Sequence, residues 1–183
     1  HYVMIVTTSE TNYENDGQWF FVKAGDVSSL IDVLDVVNGL NASADAPRAF
    51  IYIPNGDYNL GTTCLTNLSG HNISLIGESM EGVIIRNNPE AEGISVTATI
   101  LNTGTNNYLQ DLTLKNEWDY YNIQGDGRAV CLQDKGTNTI CKNVTLLSHQ
   151  DTYYTNNTIG EYYWETSDIH GTVDFICGEG TLF

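Results

Sequence analysis

The sequence predicts an all-β protein of short strands joined by tight turns, with a single helix near its start. Three observations carry this. Asparagine and glycine are abundant, at 19 and 17 residues, and Asn favours turns because it tolerates left-handed backbone and hydrogen-bonds its own main chain. Beyond Arg48 the apolar residues come in short bursts rather than helical stripes. Only one stretch, near the start, carries such a stripe.

That helix would be capped by Asp26 or Ser28, with Val27, Leu30, Ile31, Leu34 and Val37 on one face and Gly39 and Asn41 at its end. A loop from Ala42 to Arg48 leads into Ala49-Phe50-Ile51-Tyr52-Ile53, a strand stopped by the turn Pro54-Asn55-Gly56-Asp57. Further bursts follow at 73–76, 83–85, 109–114, 129–132, 140–147 and 173–176. Several open with Asn or Asp followed by apolar-x-apolar: Asn72-Ile73-Ser74-Leu75, Asp111-Leu112-Thr113-Leu114 and Asn143-Val144-Thr145-Leu146, with Asp168-Ile169-His170-Gly171 a degenerate fourth. Their spacings are 39, 32 and 25 residues, whereas propellers and helical repeats keep a fixed period. The pattern suits a parallel β-helix, a solenoid with constant strands and variable loops, whose first open edge the helix would cover. It suits a β-sandwich as well.

A length of 183 residues fits one domain, 1–183. Lys and Arg total 7 against 23 Asp and Glu, a net charge of -16. Nucleic acid and anionic membranes are therefore excluded as partners, since both are bound by clustered cations. With 16% charged and 41% hydrophobic residues the chain is not an acidic disordered tail. No apolar run approaches the ~18 residues of a membrane span. The chain opens at His1 without a visible signal peptide, as a processed or trimmed product would. Cys64, Cys131, Cys141 and Cys177 lack CxxC or zinc spacing and fit either two disulfides or small buried side chains. Five N-x-S/T triplets, at Asn41, Asn67, Asn72, Asn143 and Asn156, lend secretion weak support.

Three segments could carry chemistry: Ser148 to Tyr154, His170 to Gly178, and Gly125 to Val130. Asp174 lies in an apolar run, where a buried carboxylate needs a partner or a job. A satisfied buried Asp or a turn former is the competing reading. Asp151 follows Gln150, an amide able to donate to a developing oxyanion. Two carboxylates on adjacent coils can divide the roles of nucleophile and general acid. Arg128, Asp151 and Asp174 are spaced 23 residues apart, which in a solenoid would stack all three on one face. His149 and His170 lack a third member at a persuasive spacing for a metal pair or triad and read as satisfied histidines. Tyr153-Tyr154 and Tyr162-Tyr163-Trp164 are either core or a sugar-stacking floor.

Together these segments resemble the pectinesterase (pectin methylesterase) family of carbohydrate esterases. Its QDT-L-Y segment is similar to Gln150-Asp151-Thr152-Tyr153-Tyr154, its G-x-VDFIFG to Gly171 through Gly178, and its QAVAL to Arg128-Ala129-Val130-Cys131-Leu132. Gly56-Asp57-Tyr58 resembles an early G-x-Y-x-E, and Asn72 to Gly77 an I-x-x-x-G strand. The resemblance implies a right-handed parallel β-helix with an N-terminal capping helix. It implies hydrolysis of galacturonate methyl esters in pectin (methylated homogalacturonan), without metal or other cofactor, by a secreted or periplasmic enzyme. Carried over, Asp174 is the nucleophile forming an acyl-enzyme, Asp151 the general acid and then base, and Gln150 an oxyanion donor. Tyr154, Phe175 and Trp164 are the expected substrate-binding positions.

The chain departs from the family pattern in three places. The family's glutamine before Ala-Val is Arg128, whose guanidinium can donate to an oxyanion or orient Asp174. Leu60 replaces a glutamate. The family's downstream Arg-Pro-Trp segment, whose Arg orients the nucleophile, has no counterpart before Phe183. The chain is thus expected to be the N-terminal part of a domain truncated at its C-terminus, its solenoid completed by a missing segment or a second chain. The alternatives are a calcium-dependent pectate lyase and a degenerate β-helix that binds polysaccharide without turnover.

Overall fold

The computed structural model describes residues 10–183; the start of the chain at His1, on which the processing expectation rests, lies outside the described residues. β1 (Tyr13–Asp16) and β2 (Trp19–Val22) form an antiparallel hairpin. Helix α1 (Val27–Leu40) follows, then β3 (Ala49–Ile53), β4 (Gly56–Asn59), β5 (Thr66–Leu68), β6 (Ile73–Gly77), β7 (Val83–Asn87), β8 (Ile100–Asn102) and β9 (Tyr108–Asn116). A 3₁₀ turn, Tyr120–Asn122, precedes β10 (Leu132–Asp134), β11 (Thr139–Leu147), β12 (Tyr153–Thr155), β13 (Glu161–Glu165), β14 (Asp168–His170), β15 (Ile176–Gly178) and β16 (Thr181–Leu182). None of these helices is long and apolar enough to cross a membrane.

Beyond the hairpin every strand pairing is parallel, which decides for the β-helix over the sandwich. The pairings define three faces. Face one runs β2, β3, β6, the first part of β9, the first part of β11, β13 and β16. Face two runs β4, β7, the second part of β9, the second part of β11 and β14. Face three runs β5, β8, β10, β12 and β15. β9 and β11 each serve two faces by bending at Asp111 (φ 57°) and Asn143 (φ 54°), both left-handed. Asn and Asp bear that conformation at lower cost than other side-bearing residues. One coil earlier the equivalent position is Gly77, which is not left-handed but at which an added Cβ would stand 1.9 Å from the Asp111 carbonyl oxygen. Only glycine permits this approach.

The sequence repeat is corrected by this register. Asp111 and Asn143 are stacked equivalents, but Asn72 belongs to a different corner and stacks with Asn106 and Asn138. Asp168 stands opposite Thr145, two positions beyond the expected match. A short polar-apolar motif recurs at more than one corner, so spacing alone mixes them.

The interior is filled by inward columns. Ile51, Leu75, Leu109, Cys141 and Trp164 are successive partners on face one, and all but Trp164 are fully buried. Ile100, Leu132, Tyr153 and Ile176 form the face-three column. α1 is capped by the Asp26 carboxylate, which accepts from the Ser29 N–H, an arrangement worth about 1 kcal/mol. It buries Ser29, Leu30, Val33, Leu34 and Val37. Val27 and Ile31 only flank the core, so the buried stripe is rotated from the expected one toward Ser29 and Val33. No cysteine is bridged, and Cys131 and Cys141 are buried core residues. Three N-x-S/T asparagines spend their amides on structure. Asn41 bonds Pro47 and His71, Asn72 bonds Ala44 and Ala46, and Asn143 bonds Asp111.

Candidate active site

The corner between faces two and three carries the candidate carboxylates. Asp151 (φ 60°) precedes β12 and Asp174 (φ 47°) precedes β15. The register of Tyr153 with Ile176 places the two aspartates at equivalent positions of adjacent coils. Asp151 N–H donates to the Val173 carbonyl and Tyr153 N–H to that of Phe175, tying the two turns together. The expectation for Asp174 needs correcting: it sits in an exposed turn before its strand, not inside it, and Asp151 is the buried member of the pair. A β-run read from apolar residues begins too early here because Val173 and Phe175 are half-exposed turn residues.

The long connections leave at this same corner. Residues 88–99 join β7 to β8, and 117–131 join β9 to β10. Their bases are pinned by buried amides: Asn116 Nδ2 donates to the carbonyls of Thr97 and Val130, and Asn87 Nδ2 also donates to Thr97. Ser148 Oγ donates to the Ala129 carbonyl, closing the coil beneath the aspartates.

Gln150 is half-buried, and its Oε1 accepts from the Gly127 N–H at 2.9 Å. This orients the amide and leaves Nε2 as the donor end. Arg128 is in register with Gln150 rather than with Asp151. Its guanidinium makes a two-pronged pair with Glu92, at 2.7 and 2.9 Å. The expected stack of three on one face is therefore corrected to two aspartates, with Arg128 slipped by one residue and engaged by the neighbouring loop. Glu92, unnoticed in the sequence, is held ionised below the usual carboxylate range by that hydrogen bond.

Burial pushes the Asp151 carboxyl up, and the charge of Asp174 pushes it further; a hydrogen bond from Cys177 and the charge of Arg128 oppose this. Cys177 Sγ lies 3.8 Å from Asp151 Oδ1. Its thiol is pushed up to about 12, by burial first and then by Asp151, so it stays protonated at neutral pH and is a donor. The visible signal for Cys177 was the position itself, where the VDFIFG pattern has phenylalanine.

The expected substrate-binding residues separate. Tyr154 is half-buried on β12, in register with Gln133 and Cys177 on the outer side of face three. Phe175 is exposed beside Asp174. Trp164 is placed elsewhere: it stands in the inward column after Cys141, with its ring edge-on to Tyr153 at 4.8 Å. Periodicity could not separate it from a sugar-stacking residue, because both uses favour an aromatic on a strand.

The Pectinesterase family model matches residues 22–183. The chain belongs to the pectinesterase family. Pectinesterase 2 of Citrus sinensis is 27% identical over 164 residues, covering 88% of this chain and 30% of its own length. Among solved structures, the pectin methylesterase PemA of Erwinia chrysanthemi is similar at a TM-score of 0.67 and 28% identity. A pectin methylesterase in complex with a hexasaccharide is similar at 0.67 and 30%. Each of these two matches covers 79% of this chain and 47% of the other. The chain thus spans about a third of the Citrus pectinesterase and about half of the solved chains.

Proposed function

We propose that this pectinesterase-family chain takes part in hydrolysing galacturonate methyl esters of pectin, releasing methanol in an extracellular setting. The observation that carries the reading is the pair Asp151 and Asp174, held at one corner of adjacent coils by the strand register and by the Asp151 N–H bond to the Val173 carbonyl. A Gln150 amide is fixed beside them. The scaffold is inferred to be a right-handed solenoid whose first coil α1 closes, with residues 1–183 forming part of one pectinesterase-like domain.

In this reading the Asp174 carboxylate attacks the ester carbonyl carbon, and Gln150 Nε2 donates to the oxyanion that forms. The carbon–methoxy bond then breaks as Asp151 gives its proton to the leaving oxygen, producing methanol and an acyl-enzyme anhydride at Asp174. Asp151, now a carboxylate, takes a proton from water as that water attacks the galacturonyl carbonyl. This frees Asp174, gives the galacturonate acid and returns the proton to Asp151. The first step needs Asp151 protonated, and its environment raises its pKa in the required direction. Arg128, occupied by Glu92, contributes by holding residues 88–99 at the site rather than by meeting the oxyanion. Calcium-dependent lyase chemistry calls for clustered acidic ligands; the described residues include no group of three or more His, Cys, Asp or Glu able to hold a metal ion.

Methanol release from methyl-esterified pectin tests the reading. Asp151→Asn should cost ~100- to 10,000-fold, and Asp174→Asn should abolish turnover. Unchanged release in Asp174→Asn would sink the nucleophile assignment. Loss of activity on EDTA, with an unsaturated product, would favour the lyase.

A further inference from the structure

The connection 117–131 carries a group of rings that the reaction above does not use. Tyr120 and His149 lie face to face, with centroids 5.2 Å apart and planes 1° from parallel. Tyr121 stands edge-on to both, at 5.4 Å from Tyr120 and 5.0 Å from His149. With Trp118 these rings line a cleft of about 290 Å³. Tyr121 is 75% exposed, a poor return if the rings served only to pack the loop. His149 Nδ1 and Trp118 Nε1 are both buried without a hydrogen-bond partner, although buried polar atoms are rarely left so.

The cleft is joined to the candidate active site by the chain. His149 immediately precedes Gln150 and Asp151. Its carbonyl accepts from the Thr172 N–H, two residues before Asp174. At the other end of the ring-bearing segment Gly127 donates to Gln150, and the charge of Asp126 is felt at Asp151. A Cβ at Gly127 would stand 2.5 Å from the Tyr120 ring, so glycine is what lets the loop fold Tyr120 down on His149 while reaching Gln150.

The charges define what the cleft accepts. Lys115 and Arg86 are already paired with Glu117. Asp119 is exposed on the rim, and among the described residues lining the cleft the one Lys or Arg, Lys115, is engaged by Glu117, a setting that does not favour a uronate carboxylate. The Tyr120–His149 stack covers its own facing sides and props up Tyr121, whose exposed ring suits the apolar C–H face of a pyranose.

We propose that Tyr120, Tyr121 and His149, over Trp118, form an auxiliary saccharide subsite that takes a methyl-esterified uronate ring of the same polymer whose ester is cut at Asp174. The inference rests on the pectin-ester reading above and adds a second contact that selects esterified neighbours.

The test is calorimetric binding of a fully methyl-esterified oligogalacturonide, and of its de-esterified counterpart, to the 183-residue chain, together with methanol release. Tyr121→Ala removes a largely exposed ring and should leave the fold intact, lowering the melting temperature by no more than its edge contacts with Tyr120 and His149 supply. It should weaken binding of the esterified oligomer ~3- to 10-fold and raise KM by the same factor at constant kcat. Tyr121→Phe should restore both. Wild-type affinity in Tyr121→Ala, or no binding by the unaltered chain, would overturn the subsite; an equal loss on the de-esterified oligomer would overturn its ester preference. Binding that depends on Tyr121 without methanol release would support the subsite while refuting the hydrolytic reading.

Discussion

Asp134 lies inside the solenoid, and its surroundings show how a carboxylate survives there. Oδ1 accepts from Asn102, Thr139 and the Gly136 N–H, and Oδ2 accepts from the Tyr153 hydroxyl. Four donors do not fully offset burial, which pushes the group up to about 6. Against the ordinary 3.8 of a free Asp carboxyl, the charged form is disfavoured by about 3 kcal/mol. The folded-state pKa is the raised one, so Asp134 contributes stability below about pH 4 and loses it as pH rises to about 6. Asn at this site keeps the carbonyl acceptor for three donors and offers its amide to the Tyr153 oxygen. Asp134→Asn should therefore melt no lower than the parent at pH 7, and the difference between the two should shrink or reverse at pH 4. A constant difference across that range would show that Asp134 is not titrating. Asp151 is raised by the same physics, yet fewer donors reach it and the charge of Asp174 acts on it, which separates a working carboxylate from a structural one.

The corners decide how the strands stack. Asn72, Asn106 and Asn138 are all left-handed, at φ 56°, 59° and 56°. Asn138 Nδ2 donates to Asn106 Oδ1, and Asn106 Nδ2 to Asn72 Oδ1. Asn106 thus supplies both an unusual backbone angle and two rungs of a ladder. Asn106→Gly should lose the rungs alone, about 1–2 kcal/mol. Asn106→Ala should lose them and add about 1 kcal/mol of backbone strain. The expected order in denaturant melts is Asn, then Gly, then Ala; Ala as stable as Gly would refute the strain argument. The same corners explain what was legible beforehand. α1 and β3 announce themselves through local chemistry, an Asp cap and a proline stop. The aspartate pair was legible because each sits in a specific motif. The pairing of Arg128 with Glu92, the inward setting of Trp164 and the ring cluster at His149 were not, since each depends on which loop folds over which coil. No local pattern records that the connections 88–99 and 117–131 meet at one corner.

At the scale of the whole molecule the net charge of -16 acts on a polymer whose own charge the proposed reaction changes. A methyl-esterified galacturonan is nearly neutral, and each ester removed adds a carboxylate. An acidic protein surface repels the growing polyanion while leaving the esterified chain unaffected. Four of the seven Lys and Arg are paired with carboxylates, Arg86 with Asp57 and Glu117, Lys115 with Glu117, Arg128 with Glu92, and Lys142 with Glu165, so little free positive surface compensates. The repulsion is long-ranged only at low salt, where the screening length is ~30 Å at 0.01 M against ~8 Å at 0.15 M. Affinity for de-esterified polygalacturonate should therefore rise with added salt, whereas affinity for fully esterified pectin should stay nearly flat. The ratio of the two should narrow as the screening length falls below the distance between the surface carboxylates and the bound chain. Binding titrations at the two salt concentrations read this directly. Tighter binding of the de-esterified polymer at 0.01 M would mean that a local cationic contact outweighs the field of the whole surface. It would also remove the charge argument for product leaving the site.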